Sequence, residues 1–409
     1  MREIPGSDVA GAAILHDLRG LPEVALDAFQ AYRYVMLWAQ ERERTGEDPA
    51  DLFDGEGMAE VVTAMAGGTS HLRDELRAFL VAVTGELLDT PRDPARIARA
   101  CLCVTEWALP RRHVTTGLAF AEAAAQALPT ARYAFLAGKL HRQYGHHHQA
   151  ERWLREAEEL ARRERDWETK VRVMLARGGV DLARGRLAPA HAEFQRALRL
   201  CQTHRLGGSV RGEVHHDLLP VCMALREYAQ AQQHAEAAMA AYSTDHPRLP
   251  YLAHDLAELW LEMGDYPNAL HVLLPLLDHA FTVDPISRMM VAASTLRAAG
   301  GTGDQPSYAR VVPQLEKALE QAGAATVRHA PALLDAARGA YLVHDEPRAT
   351  RWVTRAREVA ERMQQEDVVA EAERLANLAR VRPVATAARP RDNRPVAARA
   401  IAALAGNAN

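Results

Sequence analysis

Small and apolar residues recur at helical spacing along the chain, and between Ala131 and Asp245 one helix-turn-helix pattern is written three times. Gly145, Ala150, Leu154 and Ala157 align with Gly185, Ala190, Phe194 and Ala197 at a constant offset of 40; Tyr228, Ala231, Ala235 and Ala238 fill the corresponding places of a third copy. A fixed period of this size predicts stacked helical hairpins. Gly145 and Gly185 stand where the first helix of a hairpin must stop, because glycine enters the left-handed conformation without a Cβ penalty. Ala150 and Ala190 are small where two helix backbones approach closely, and Leu154, Phe194, Ala157 and Ala197 continue the buried face of the second helix. A single hairpin cannot bury such a face, so its neighbours must cover it.

These residues resemble the tetratricopeptide repeat, which has a small residue in the middle of its first helix, a turn glycine, and alanine, an aromatic or leucine, then alanine in its second. The best match is LAELWLEMGDYPNALHVL, with Leu256, Ala257, Trp260, Gly264, Tyr266, Ala269 and Leu273 in place. Units are expected near 98–130, 131–170, 171–211, 212–249, 250–284, 285–325 and 330–364, about two-thirds of the chain. The resemblance implies an all-α, right-handed superhelical solenoid of stacked hairpins. Arg226 and His344 replace the turn glycine, and AAGGTGDQP reads as a glycine-rich insertion between the helices of the 285–325 unit.

Outside the repeats the pattern loosens. Residues 1–92 are expected to form an N-terminal helical capping region, 93–364 the repeats, 365–381 a C-terminal capping helix and 382–409 an Arg/Ala/Pro-rich flexible tail. Residues 1–22 read as an irregular or short helical lead-in. Ala25, Phe29, Tyr32, Val35, Met36 and Ala39 form one stripe of a helix from Glu23 to Arg44, stopped at TGEDP. Ser70 can cap a further helix that buries Leu72, Leu76, Phe79, Leu80 and Val83. The spacing of Ala64 and Gly68 faintly resembles a DNA-reading helix-turn-helix, but Asp74 falls where such a motif is normally buried, which favours a capping bundle.

Composition narrows the function classes. Hydrophobic content of 48% with only 6% aromatic describes an alanine- and leucine-rich helical protein with almost no strand. The net charge of −4 gives no general drive toward phosphate, and only Lys139, Lys170 and Lys317 of the 49 basic residues are lysine. Cys101, Cys103, Cys201 and Cys222 form neither a disulfide framework nor a zinc pattern and are expected to be reduced thiols. No apolar run of membrane-spanning length and no cleavage signal occurs, so a cytoplasmic protein without membrane contact is expected.

The resemblance also implies where a partner would lie, since tetratricopeptide grooves are lined by the first helix of each hairpin. The groove-facing candidates are Phe135, Lys139, Arg142, Arg172 and Leu175, then His216, Asp217 and Met223, then Tyr251, His254, Asp255, Glu258 and Glu262, and finally Asp335, Arg338 and Tyr341. His-Asp-Leu recurs at His216 and His254 in the same register. It marks duplicated, solvated groove residues, a peptide contact or, as the least favoured reading, a metal site. Basic candidates lie toward the N-terminal half and acidic ones toward the middle, a field that would orient a partner with segregated charges. The run His146-His147-His148, with His141 before it, suits adventitious metal binding better than a structural site. No HExxH, P-loop, GxSxG or Rossmann glycine pattern is present, so neither an enzyme nor a cofactor is expected. A scaffold binding a peptide or protein segment is the reading. The alternative is a peptide-responsive or nucleic-acid-associated regulator, and homo-oligomerisation and the Arg-rich tail remain open routes to partners.

Overall fold

The computed structural model describes residues 7–49, 52–53, 60, 63, 71–279, 284–322, 328–378 and 393–406, and among these there are nineteen helices and no strand. The chain divides into two compact units, Met1–Ala176 and Arg177–Asn409. The first holds α1 (Ser7–Asp17), α2 (Pro22–Thr45), α3 (His71–Leu88), α4 (Pro94–Ala108), α5 (Val114–Ala127), α6 (Ala131–Gln143), α7 (His147–Glu164) and the start of α8 (Trp167–Ala183). The second continues through α9 (Leu187–Thr203), α10 (Gly208–Ala224), α11 (Tyr228–Ala241), α12 (Leu249–Glu262) and α13 (Tyr266–Leu277). It is completed by α14 (Pro285–Thr302), α15 (Gln305–Gln321), α16 (His329–Leu342), α17 (Glu346–Arg362), α18 (Glu366–Leu378) and α19 (Arg394–Gly406).

At the N-terminal end the expected helix extends over α2, begun by Pro22 and ended by Gly46 at φ +76°. Its buried stripe is broader than the pattern suggested and includes Ala28, Ala31 and Trp38, while Phe29 and Met36 are half-buried. The lead-in is a true helix: Ile14 and Leu18 are buried, and the Asp17 carboxylate accepts from the Thr116 amide (2.9 Å) and hydroxyl (2.8 Å) at the start of α5. Leu76, Leu80 and Val83 of α3 are buried as expected. Ala64, Gly68, Ser70 and the side chains of Leu72 and Asp74, on which the cap and the helix-turn-helix spacing depend, lie outside the described residues. None of the four cysteines forms a disulfide, and Cys101, Cys201 and Cys222 are buried.

The hairpin turns of the second unit share one backbone device. Gly185, Arg226, Gly264, Gly303 and His344 all take positive φ, between +61° and +76°. Arg226 and His344 therefore adopt the geometry that glycine supplies elsewhere, against a cost of about 1–2 kcal/mol for a residue with a Cβ. Buried faces on both sides of each turn outweigh that cost. Ala231, Ala235 and Ala238 after the first are fully buried, as are Ala349 and Ala356 after the second.

The expected glycine-rich insertion is not there. α14 runs through Gly300 and Gly301, and the turn comes at Gly303. The glycines serve a close crossing instead: a Cβ on Gly300 would lie 2.4 Å from the Gly339 carbonyl oxygen, and one on Gly339 would lie 2.3 Å from that of Leu296. Only two glycines let α14 and α16 approach this far. The expected flexible tail is also corrected in part, because α19 packs on α12 and α13. Ala397 and Ala400 enter the main core, and Asn393, 1% exposed, donates to Asp265 (2.7 Å) and accepts from Gln232 (3.0 Å). Val396, Ala397, Ala400 and Ile401 form an apolar stripe that the surrounding arginines and prolines obscure in the sequence.

Candidate functional site

In the second unit α10, α12, α14 and α16 are the first helices of successive hairpins and α18 follows them, each touching the next. A helix exposes one residue row per turn, so residues in one register of successive repeats stack into a wall. Counted back from the turn residue, Asp217, Asp255, Ser294 and Asp335 occupy one row, and Glu258, Arg297 and Arg338 the row one turn further on. Polar side chains in two stacked rows lie within reach of one another.

They form a ladder with at least one contact between each helix and the next. Arg248 pairs with Asp217 at one end. His216 Nε2 meets Asp255 at 3.1 Å while its Nδ1 meets the Tyr242 hydroxyl at 3.2 Å. His254 Nδ1 lies 3.7 Å from Asp255 and its Nε2 3.1 Å from Ser294 Oγ, which also bonds Glu258. Arg297 joins Glu262 (2.8 Å), Asp335 (3.1 Å) and the Leu261 carbonyl (3.4 Å). Arg338 then links Asp335 (2.6 Å) to Glu371 (2.7 Å), which receives Arg374 at 2.5 Å.

Burial and bonding compete at each rung. For Asp255, desolvation disfavours the carboxylate, but the hydrogen bond from His216 and the nearby His254 outweigh it and hold the carboxyl well below its usual range. For His254 burial again opposes charge, and Asp255 and Glu258 overcome it, so the imidazole is held charged to higher pH than usual. Glu258 is pushed up by burial and by the nearby Asp335. Asp335, Glu262 and Glu258 keep the Arg297 guanidinium firmly charged despite its burial.

Ser294, His254 and Asp255 stand in the order of a hydrolytic triad, but the serine is 2% exposed and its hydroxyl is engaged by Glu258 and the Met290 carbonyl (3.0 Å). A substrate carbonyl could not reach it. The geometry suits recognition, with fixed donors and acceptors along one face, better than nucleophilic attack.

The sequence-chosen residues fall into three groups. His216, Asp217, His254, Asp255, Glu258, Glu262, Asp335 and Arg338 are brought together in the ladder. The histidines are buried, not solvated, and the expected acidic field is largely neutralised by Arg248, Arg297 and Arg338, which corrects the picture of a free acidic wall. Tyr251 is 51% exposed on α12, whereas Met223 and Tyr341 pack against the core. In the first unit Phe135 packs on the cluster around Trp153 and Leu154, Leu175 is buried, Lys139 is exposed, Arg142 is half-buried, and Arg172 lies 3.7 Å from Glu168 on its own helix. Arg248, Tyr242, Ser294, Arg297 and Glu371 were missed. Aligning the repeats by their turns would have found Ser294 and Arg297.

No family model and no curated protein matches the chain. Among solved structures, it is similar to the Rap conjugation gene regulator of the plasmid pLS20 in complex with the Phr* peptide, at 15% identity and a TM-score of 0.51, over 84% of this chain and 97% of that one. It is similar also to a Rap protein complexed with Competence and Sporulation Factor, at 11% identity and a TM-score of 0.50, over 84% and 99% of the two chains. At such identity the likeness is one of fold, a tetratricopeptide-like helical-repeat solenoid.

Proposed function

We propose that this chain is a non-enzymatic helical-repeat receptor that binds an extended peptide or protein segment along the first-helix wall between residues 208 and 378. The ladder carries this reading: side chains from four successive hairpins and from α18 are tethered to one another, so a partner would meet groups already ordered. Pre-organisation of this kind lowers the entropy lost on binding. Tyr251 supplies an exposed aromatic anchor, and Asp255 and Glu262 keep a third or more of their side chains in solvent beside it. The neighbouring solved structure that holds the Phr* peptide supports the reading through its shared fold.

Selection of a displayed random-peptide library on the full chain tests it. Enriched peptides are expected to bind the parent chain and to lose at least about tenfold in affinity on Tyr251→Ala or Glu262→Arg, the loss of one anchor contact. Failure to enrich any sequence, or enriched peptides indifferent to both substitutions, would overturn it.

A further inference from the structure

A second constellation lies in the first unit, where α5, α6 and α7 line an open pocket of about 400 Å³. Glu122 accepts from His141 Nε2 (2.8 Å) and Trp153 Nε1 (2.9 Å), with Arg152 3.6 Å away. Burial opposes the Glu122 charge, but these donors outweigh it and keep the carboxyl below its usual range. Its charge is thus already matched. His141 is only 5% exposed, lines the pocket, and has its other ring nitrogen, Nδ1, buried without a hydrogen-bond partner. A buried polar atom without a partner costs about 1–3 kcal/mol, which a bound group could recover.

The repeat itself indicates what that group is. In three hairpins of the second unit the residue after the turn is an aspartate, Asp265, Asp304 or Asp345, whose carboxylate accepts from the third amide of the second helix. In the hairpin of α6 and α7 the matching residue is His146, which makes no side-chain cap bond, and the matching amide belongs to Gln149. His146, His148 and Gln149 line the same pocket as Arg152 and His141. The early amides of α7 have no intrahelical acceptor, and the helix dipole favours negative charge there. Among the described residues no three His, Cys, Asp or Glu side chains are arranged to hold a metal ion.

We propose that this pocket binds a small oxyanion, a phosphate or carboxylate group carried on a small molecule. The anion stands where the capping aspartate stands in those three hairpins; Arg186 and Glu227, which begin the second helices of two others, make no side-chain cap bond either. Arg152 and the first turn of α7 supply positive charge, His141 offers the pocket its unpartnered Nδ1 while Glu122 holds its Nε2, and Leu118 accepts the apolar part of the molecule.

The test is histidine-ring NMR on the full chain, titrated at constant ionic strength with inorganic phosphate, with citrate, with zinc and with sodium chloride alone. Saturable shifts of the His141, His146 and His148 rings are expected with phosphate or citrate, and the arm that saturates at lower concentration identifies the anion type. Arg152→Gln is expected to weaken binding about tenfold, the loss of one charge-assisted bond. Because Arg152 is largely exposed, that variant should fold. His146→Asp, which supplies its own carboxylate cap, should abolish binding. No saturable shift with either anion, saturation by zinc alone, or binding unchanged in both variants would overturn the proposal.

Discussion

The hairpin of α6 and α7 and the three hairpins between Leu249 and Arg362 share one repeat and differ in what the repeat leaves free. Where the later hairpins place Asp255, Ser294 and Asp335, the earlier one has Leu136; where they place Glu258, Arg297 and Arg338, it has Lys139. The later hairpins begin their second helices with a bonded aspartate, and the earlier one begins with an uncapped histidine. Alanines and turn residues common to both specify the stacking. The residues that differ decide whether a hairpin presents a cross-linked polar wall or an open pocket.

Removing a rung should separate the two regions most. Arg297 is about a tenth exposed and faces three carboxylates, so Arg297→Ala should destabilise by about 3–5 kcal/mol, the cost of stranding a buried charge. Exposed Arg152→Ala should change stability by less than about 0.5 kcal/mol. Denaturant unfolding of both variants measures the contrast, and equal effects would erase it.

Glycine contacts come next. Gly339→Ala drives a Cβ into the Leu296 backbone and should cost about 2–3 kcal/mol. Gly138→Ala meets Leu154, its Cγ at 3.0 Å and its amide nitrogen at 3.2 Å, which must give by a few tenths of an ångström, and should cost about 1 kcal/mol. Thermal unfolding reads both.

The caps can be exchanged. His146→Asp should stabilise the early hairpin by about 1 kcal/mol and Asp304→Ala should weaken the later one by a similar amount. Hydrogen exchange at the first turns of α7 and α15 locates each effect.

The smallest effect is in pH. The Asp255 carboxyl is about a third exposed, bonded by His216 and close to His254, and its folded value lies below the unfolded one of roughly 4. Its contribution is therefore complete above that pH and is lost as pH falls through the folded value. Asp255→Asn should make the acid limb of the stability profile shallower, by an amount limited by solvent reaching the side chain. An unchanged limb would place the proton uptake elsewhere.

The repeat was legible because its residues act locally: Gly145 at a turn and Ala150 at a helix crossing each declare themselves at fixed spacing. The helix from Glu23 to Arg44 was legible for the same reason and appears as Pro22–Thr45. The ladder was legible only by halves. His216 and His254 stood out as a duplicated pair, yet their partners, Asp255 and Ser294, belong to the following hairpin in each case. Arg297 was hidden because Gly300 and Gly301 beside it look like a loop in sequence and are a helix crossing in three dimensions. Residues 393–406 were obscured by composition, since burial of Ala397 and Ala400 depends on a face that only the folded α12 and α13 provide.

The most direct test of the recognition wall is amide hydrogen exchange of the full chain with and without a display-selected peptide. Protection concentrated in residues 249–262, 285–302 and 329–342 is the expected result. Binding with protection confined to residues outside 208–378 would contradict it.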